Sequence, residues 1–231
     1  MTPPNNAPSV SRSPVAVIVL GMLGGYLVSA LVVGAWVGIF GTGGVGPSLA
    51  SSVGLWVGFM GATWHEARSR SLTVPELVEL RSRPAFDLPF GIVTGIALQL
   101  ALVPALYWLI TRVTGPLDVE RAAKDLTEDV AGAQWVAVVV IVGLGAPIVE
   151  EIFFRGLARR LIGERLGSLA AILVSSTIFA ATHFQLVQFP GLLLVGLTFA
   201  WLAARTSRLG PAIACHIAFN VTALVQLMAS R

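Results

Sequence analysis

Long stretches without a charged residue are the feature that most constrains how this chain can fold. The longest lies between Arg12 and Glu66, and four further uncharged runs cover residues 88–111, 130–149, 166–182 and 184–204. A helix of about 20 apolar residues crosses the hydrocarbon core of a membrane, where only helices and closed barrels satisfy their own backbone hydrogen bonds. The runs lack the alternation of barrel strands. The sequence therefore predicts an all-α fold, a polytopic transmembrane helical bundle of about seven to eight helices.

The order of the runs predicts a short tail followed by one transmembrane domain. Residues 1–14 are rich in proline, asparagine and serine and are predicted to be disordered, and residues 15–231 are predicted to form a single helical domain. The composition agrees, since 55% of the residues are hydrophobic, 12% are charged and the mean hydropathy is +0.83. Spans are predicted at 15–40, 48–64, 88–111, 133–160, 168–183, 191–204 and 210–229, with a short interfacial helix near 74–80.

The distribution of basic residues predicts the orientation. If the N-terminus is cytoplasmic, eleven basic residues fall on the cytoplasmic side and four on the opposite side, as the positive-inside rule requires. Arginine far exceeds lysine, and alanine, valine and glycine are abundant, a composition that resembles a bacterium with a GC-rich genome. We therefore expect a multi-pass protein of the bacterial plasma (inner) membrane with a cytoplasmic N-terminus.

Composition also excludes several kinds of site. Cys215 is the single cysteine, so the chain has no intramolecular disulfide and no metal site built from several cysteines. The net charge of +3 comes from basic residues scattered at predicted helix ends rather than clustered on one face. No nucleic-acid partner is expected, and the protein is expected to be embedded in the lipid bilayer.

Two adjacent carboxylates follow the fourth apolar run. Burying an ionisable group at membrane depth costs free energy, so such a residue indicates a function unless a structural partner explains it. Glu151 and Arg155 are spaced i,i+4 with the acid first, which favours an ion pair on one helix face. Glu150 points about 100° away and has no cation at either helical spacing. Glu151 is thus predicted to be structural, and Glu150 is the candidate catalytic residue.

Three more polar residues lie in predicted spans. His216 and Asn220 are i,i+4 on one helix face, and helical rise places both at a depth of about 9–15 Å, comparable with about 14 Å for Glu150. His183 falls too deep for a straight helix, at about 22 Å, so its helix starts outside the core, tilts or breaks before it. Together these residues predict an intramembrane polar cavity, although each one alone could be a satisfied core residue.

The ordered motifs resemble those of a known family. Glu150-Glu151-x-x-x-Arg155, Phe179-x-x-x-His183 and His216-x-x-x-Asn220, within residues 146–221, are similar to the motifs of the CAAX-protease and bacteriocin-processing (CPBP, Abi) family of intramembrane glutamic endopeptidases. The resemblance implies a cavity open to the cytoplasm, in which Glu150 and His183 activate water while His216 and Asn220 bind the oxyanion. Glu151, Arg155 and Phe179 would support that site.

The resemblance predicts an intramembrane endopeptidase that cleaves a membrane-associated peptide or protein near its cytoplasmic end without a cofactor. Glu150, His183 and His216 also form a ligand set suited to zinc, which is the alternative to metal-free chemistry. A second alternative is a non-enzymatic immunity or scaffold protein, or a small transporter that uses the same polar cluster. The chain shows no internal repeat of the kind found in transporters.

Overall fold

The described chain is entirely helical. A computed structural model describes residues 13–230 and shows no strand there, so the predicted tail lies almost wholly outside the described residues. Counting consecutive helical turns as one helix, this part contains eight helices, α1 Pro14–Phe40, α2 Gly46–Ser69, α3 Val74–Leu77, α4 Pro84–Thr114, α5 Arg121–Thr127, α6 Gln134–Ala181, α7 Phe189–Thr206 and α8 Gly210–Ala229. The predicted all-α class is confirmed.

Five of the described helices are long and apolar enough to cross a membrane, namely α1, α4, α6, α7 and α8. Helix α2, which was predicted as the second span, does not meet that combination of length and apolarity. Its start and middle nevertheless pack closely against α1. The chain is therefore a multi-pass membrane protein, as predicted.

Glycine allows α1 and α2 to approach closely. A β-carbon at Gly58 would collide with the backbone of Gly25, and one at Gly54 would collide with the backbone of Ser29. Small residues at such crossings permit the van der Waals packing that drives helix association in lipid. The first two helices contain three G-x-x-x-G pairs, at 21/25, 34/38 and 54/58. The pairs 21/25 and 54/58 lie in the α1–α2 contact, whereas a β-carbon at Gly34 or Gly38 would meet no atom within 4 Å.

Helix α6 folds back on itself at Gly167. Gly167 has φ 81° and ψ 169°, a conformation outside the helical range that only glycine adopts readily. The rings of Phe154 and Phe179, which lie on opposite sides of this break, are 5.4 Å apart. We call residues 134–166 the first arm and residues 168–181 the second arm. The predicted spans 133–160 and 168–183 left a gap of seven residues, but the helix continues to residue 166 and the reversal is concentrated at one glycine.

The second arm is too short to cross the membrane. Its 168–181 stretch spans about 21 Å as a helix, against about 30 Å for the hydrocarbon core. Helix α6 ends at Ala181, so the predicted break before His183 is present. The following segment, residues 182–188, lies beside the middle of α1, because the hydroxyl of Tyr26 donates to the carbonyl of Thr182, and it leaves Phe184 and Leu186 exposed.

The two ends of the bundle differ in composition. Three connections meet at the arginine-rich end, namely residues 70–83, the Gly167 turn and the 207–209 turn. Arg70 Nη1 lies 2.7 Å from Glu164 Oε1, close to the Gly167 turn, and Leu209 N donates to Glu79 O at 3.2 Å. At the α5 end, the start of α2, the 115–133 connection and the end of α8 share one apolar cluster containing Val45, Val130 and Leu224.

We expect Gly58→Val to destabilise the protein. The added side chain must displace the backbone of Gly25, and overpacking of this kind costs about 1–3 kcal/mol. The apparent Tm of purified protein in detergent should fall by several degrees. Gly61→Val is the matched control on the same helix, because a β-carbon at Gly61 meets no atom within 4 Å. Equal Tm values for the two variants would contradict the proposed glycine contact.

Candidate active site

The predicted site residues line one cavity. The cavity has a volume of about 580 Å³, and Glu150, His183, His216, Asn220 and Phe179 all contribute to its wall. They come from the first arm of α6, the end of the second arm with the turn that follows it, and α8. The fold-back at Gly167 and the antiparallel packing of α8 against the first arm bring together residues up to 70 positions apart in the sequence.

Glu151 and Arg155 form a fully buried ion pair. Arg155 Nη1 lies 2.9 Å from Glu151 Oε1, and both side chains are 0% exposed. Arg155 Nη2 also donates to the carbonyl of Gly196 at 3.1 Å, and the guanidinium lies 4.2 Å from the centre of the Phe179 ring. This i,i+4 pair is the one that the sequence predicted. Removing one partner of a buried ion pair strongly destabilises the folded protein, because the other charge is left buried without a partner.

Glu151 has a second partner, His216, which its sequence spacing does not predict. His216 Nδ1 lies 2.9 Å from the same Glu151 Oε1 that accepts from Arg155. An ionised carboxylate only accepts hydrogen bonds, so Nδ1 of His216 carries the hydrogen and Nε2 is left for other contacts. That Nε2 is 3.9 Å from Glu150 Oε2. Glu151 therefore fixes the orientation of His216 as well as pairing with Arg155.

Glu150 is the carboxylate that faces the cavity. Its side chain is 20% exposed, and among residues 13–230 it accepts no hydrogen bond from a protein group. Its Oε2 lies 3.9 Å from His216 Nε2, beyond hydrogen-bonding distance. The oxygens of Glu150 are thus available to a molecule in the cavity, in contrast to the fully buried Glu151.

His183 is held by the end of the helix that precedes it. Its Nδ1 lies 2.9 Å from the carbonyl oxygen of Phe179. Because a carbonyl oxygen can only accept, Nδ1 must carry the hydrogen, and Nε2 of a neutral ring is left as an acceptor. The Phe179 ring packs edge-on against the His183 ring at 4.9 Å and against the His216 ring at 5.9 Å. Phe179 therefore positions both histidines.

Asn220 is anchored to the first arm of α6. Its Nδ2 donates to the carbonyl of Val142 at 2.9 Å. Val142 belongs to the π-helical stretch Val139–Gly145, and π-helical turns inside α-helices are often found at functional sites. One amide hydrogen and the amide oxygen of Asn220 remain for other partners.

Both tyrosines of the chain support the segment that carries His183. Tyr26 of α1 donates from its hydroxyl to the carbonyl of Thr182 at 3.0 Å, and its ring contacts Phe184. Tyr107 of α4 donates to the carbonyl of Val187 at 2.7 Å. Neither tyrosine was predicted to take part in the site. The available signal was that the chain contains only two tyrosines and that each lies within a predicted span.

The described residues contain no group of three or more His, Cys, Asp or Glu side chains placed to hold a metal ion. The proposed zinc ligands Glu150, His183 and His216 share the cavity, but Nδ1 of each histidine is already bonded to a protein oxygen. Their Nε2 atoms are the ring nitrogens left for a ligand.

Comparisons with known proteins find similarity in the region that carries the cavity residues of α6 and α8. Residues 132–222 match the family model "Type II CAAX prenyl endopeptidase Rce1-like". A protein from Bacillus subtilis (strain 168), named "Putative membrane peptidase YdiL", is 32% identical over 87 residues. The match covers 38% of this chain and 36% of that protein, so it spans about a third of the relative's length. No solved structure matches the chain.

The fold and the cavity define a multi-pass helical membrane protein with an acid–histidine site. Over residues 132–222 the chain is similar to the CAAX-protease and bacteriocin-processing family, which agrees with the resemblance that the three motifs carry. The matched segment contains every residue of those motifs, from Glu150 to Asn220.

The two acids should respond differently to the same substitution. Glu151→Gln leaves Arg155 buried without a carboxylate, which costs about 3–5 kcal/mol, so we expect poor recovery of folded protein and a lower Tm. Glu150→Gln faces the cavity and should retain the Tm of the unmodified protein. Thermal unfolding in one detergent, with the yield of monodisperse protein, makes the comparison. Equal stability of the two variants would contradict the division of roles.

Proposed function

We propose that the chain is an intramembrane endopeptidase that hydrolyses a peptide bond of a membrane-associated peptide or protein with water activated by Glu150. The observation that carries this proposal is an unpaired carboxylate facing a cavity that two oriented histidines also line. The relationship of residues 132–222 to membrane peptidases supports it. We further propose that the protein resides in a bacterial plasma membrane.

Glu150 and His183 would act on the attacking water. A water molecule in the cavity can donate one hydrogen bond to Glu150 and the other to the free Nε2 of His183. Glu150 then takes a proton as the water oxygen bonds to the carbonyl carbon of the substrate, which is general base catalysis. When the C–N bond breaks, the protonated Glu150 returns the proton to the leaving nitrogen. The carboxylate is thereby restored, and no covalent intermediate with the protein is needed.

His216 and Asn220 would stabilise the oxyanion. To donate from Nε2, His216 must carry a second proton, and in that form both ring nitrogens donate, Nδ1 to Glu151 and Nε2 to the oxyanion. Asn220 has one amide hydrogen left after its bond to Val142. Removing one such donor from an oxyanion hole typically costs about 3–4 kcal/mol of transition-state stabilisation.

A cleavage assay tests the activity. Purified protein in detergent is incubated with a peptide library, and the products are identified by mass spectrometry. We expect Glu150→Gln to lower the rate by about 10²–10⁴-fold because the general base is lost. Glu128→Gln, an exposed acid at the α5 end, is the control and should cleave normally. Absence of cleavage would contradict the proposal and favour a scaffold or immunity protein. Cleavage that persists in Glu150→Gln would contradict the proposed role of Glu150.

Chelation tests the metal-free mechanism. If Glu150 activates water with His183, cleavage should survive prolonged treatment with EDTA or phenanthroline. A zinc-dependent enzyme would lose activity and regain it with stoichiometric metal, because the ion generates the nucleophile. Elemental analysis of tag-free protein gives an independent measurement. A stoichiometric metal that is lost in both His183→Ala and His216→Ala would overturn the metal-free mechanism.

A further inference from the structure

Within residues 13–230, the cavity wall extends to one end of the bundle and not to the other. Its wall extends from Glu150 to Pro47 and Ser48 at the start of α2 and to Leu126 of α5. All three lie at the α5 end, beside the apolar cluster that joins the start of α2 to the 115–133 connection. The cavity is therefore continuous from the polar site to the α5 end.

The opposite direction is closed. Between the site and the arginine-rich end lie Phe154, Phe179, Phe199 and Arg155, and none of them is more than 1% exposed. Phe179 contacts Phe154 at 5.4 Å and Phe199 at 6.5 Å between ring centres, and Arg155 fills the space beside them. A substrate cannot reach Glu150 from the arginine-rich end without displacing this cluster.

The basic residues distinguish the two ends. Within residues 13–230, the arginine-rich end carries nine basic residues, at positions 68, 70, 81, 83, 159, 160, 165, 205 and 208. The α5 end carries three, Arg112, Arg121 and Lys124, beside the acidic residues of the 115–133 connection. Positive charge in short connections marks the cytoplasmic side, and accompanying acids contribute little to this bias. The arginine-rich end is thus the end that charge assigns to the cytoplasm.

Two expectations from the sequence exclude each other in this structure. Helix α1 begins at the arginine-rich end and ends at the connection leading to α2 at the α5 end. A cytoplasmic N-terminus therefore places the α5 end, with the opening of the cavity, outside the cytoplasm. A cavity open to the cytoplasm, as the family resemblance implied, would require the arginine-rich connections to be exported.

We propose that the cavity opens to the extracytoplasmic side and accepts a membrane-tethered peptide from that side. The substrate part of this inference rests on the proposed peptidase function. Apart from Glu150 and the two histidines, the cavity is lined by apolar residues and by uncharged polar ones such as Ser51, Ser52 and Gln185. An uncharged, extended segment of an exported or membrane-anchored peptide fits such a lining.

Labelling of single cysteines in bacterial spheroplasts tests the orientation. The native Cys215 is 0% exposed and provides an unreactive background. Thr42→Cys reports on the α5 end, Ser168→Cys on the arginine-rich end, and Ser52→Cys on the cavity wall. A membrane-impermeant thiol reagent should modify Thr42→Cys and Ser52→Cys in intact spheroplasts, and Ser168→Cys only after permeabilisation. The unmodified protein and a cytoplasmic marker enzyme with a reactive thiol control for background and leakage.

The outcomes separate this inference from the proposed function. Labelling of Ser168→Cys but not Thr42→Cys in intact spheroplasts would overturn the inference, as would equal labelling of both. Labelling of Thr42→Cys without Ser52→Cys, when Ser52→Cys reacts in detergent, would show that the cavity is not open to that side. In detergent the substrate has access to both ends of the bundle, so the cleavage assay does not depend on orientation. Its failure would refute the peptidase proposal while leaving the orientation result intact.

Discussion

The arrangement of the site depends on one buried oxygen atom. Glu151 Oε1 accepts from both Arg155 and His216, at 2.9 Å in each case, while Glu151 Oε2 has no hydrogen-bond partner among the described residues. The carboxylate of Glu151 is tolerated at this depth because the guanidinium of Arg155 lies 2.9 Å from it. The Glu151 carboxylate, held by Arg155, therefore orients the ring of His216 with Nε2 toward Glu150.

The cavity also depends on the length of the second arm of α6. Because the second arm of α6 stops at Ala181, a turn and a histidine occupy a depth at which other spans continue as helix. Backbone outside a regular helix is tolerated at membrane depth when it is buried in protein or lines a polar cavity. Tyr26, Tyr107 and the capping carbonyl of Phe179 supply the hydrogen bonds that this turn requires. The cavity thus follows from a helix that is too short rather than from an added element.

Much of this could be predicted from local patterns. The helix class follows from uncharged runs, the Glu151–Arg155 pair follows from i,i+4 spacing, and α8 was predicted with the bounds 210–229 that the structure has. The contact between His216 and Glu151 could not be predicted, because periodicity gives the face of a helix but not the rotation of its neighbour. Nor could the direction of the cavity, since depth calculated from helix ends is the same measured from either side of the bilayer. The roles of Tyr26 and Tyr107 depend on loop geometry that no spacing encodes.

The supports of the 182–188 segment lie outside the segment that defines the family. Tyr26 belongs to α1 and Tyr107 to α4, whereas the family match begins at residue 132. Glu150, both histidines and Asn220 thus come from the C-terminal half of the chain. The two tyrosines that hold the segment carrying His183 come from the N-terminal half. Two proteins can then share all three motifs and still differ in how rigidly that histidine is held. Divergence of the N-terminal helices would tune the site of a relative without altering any motif residue.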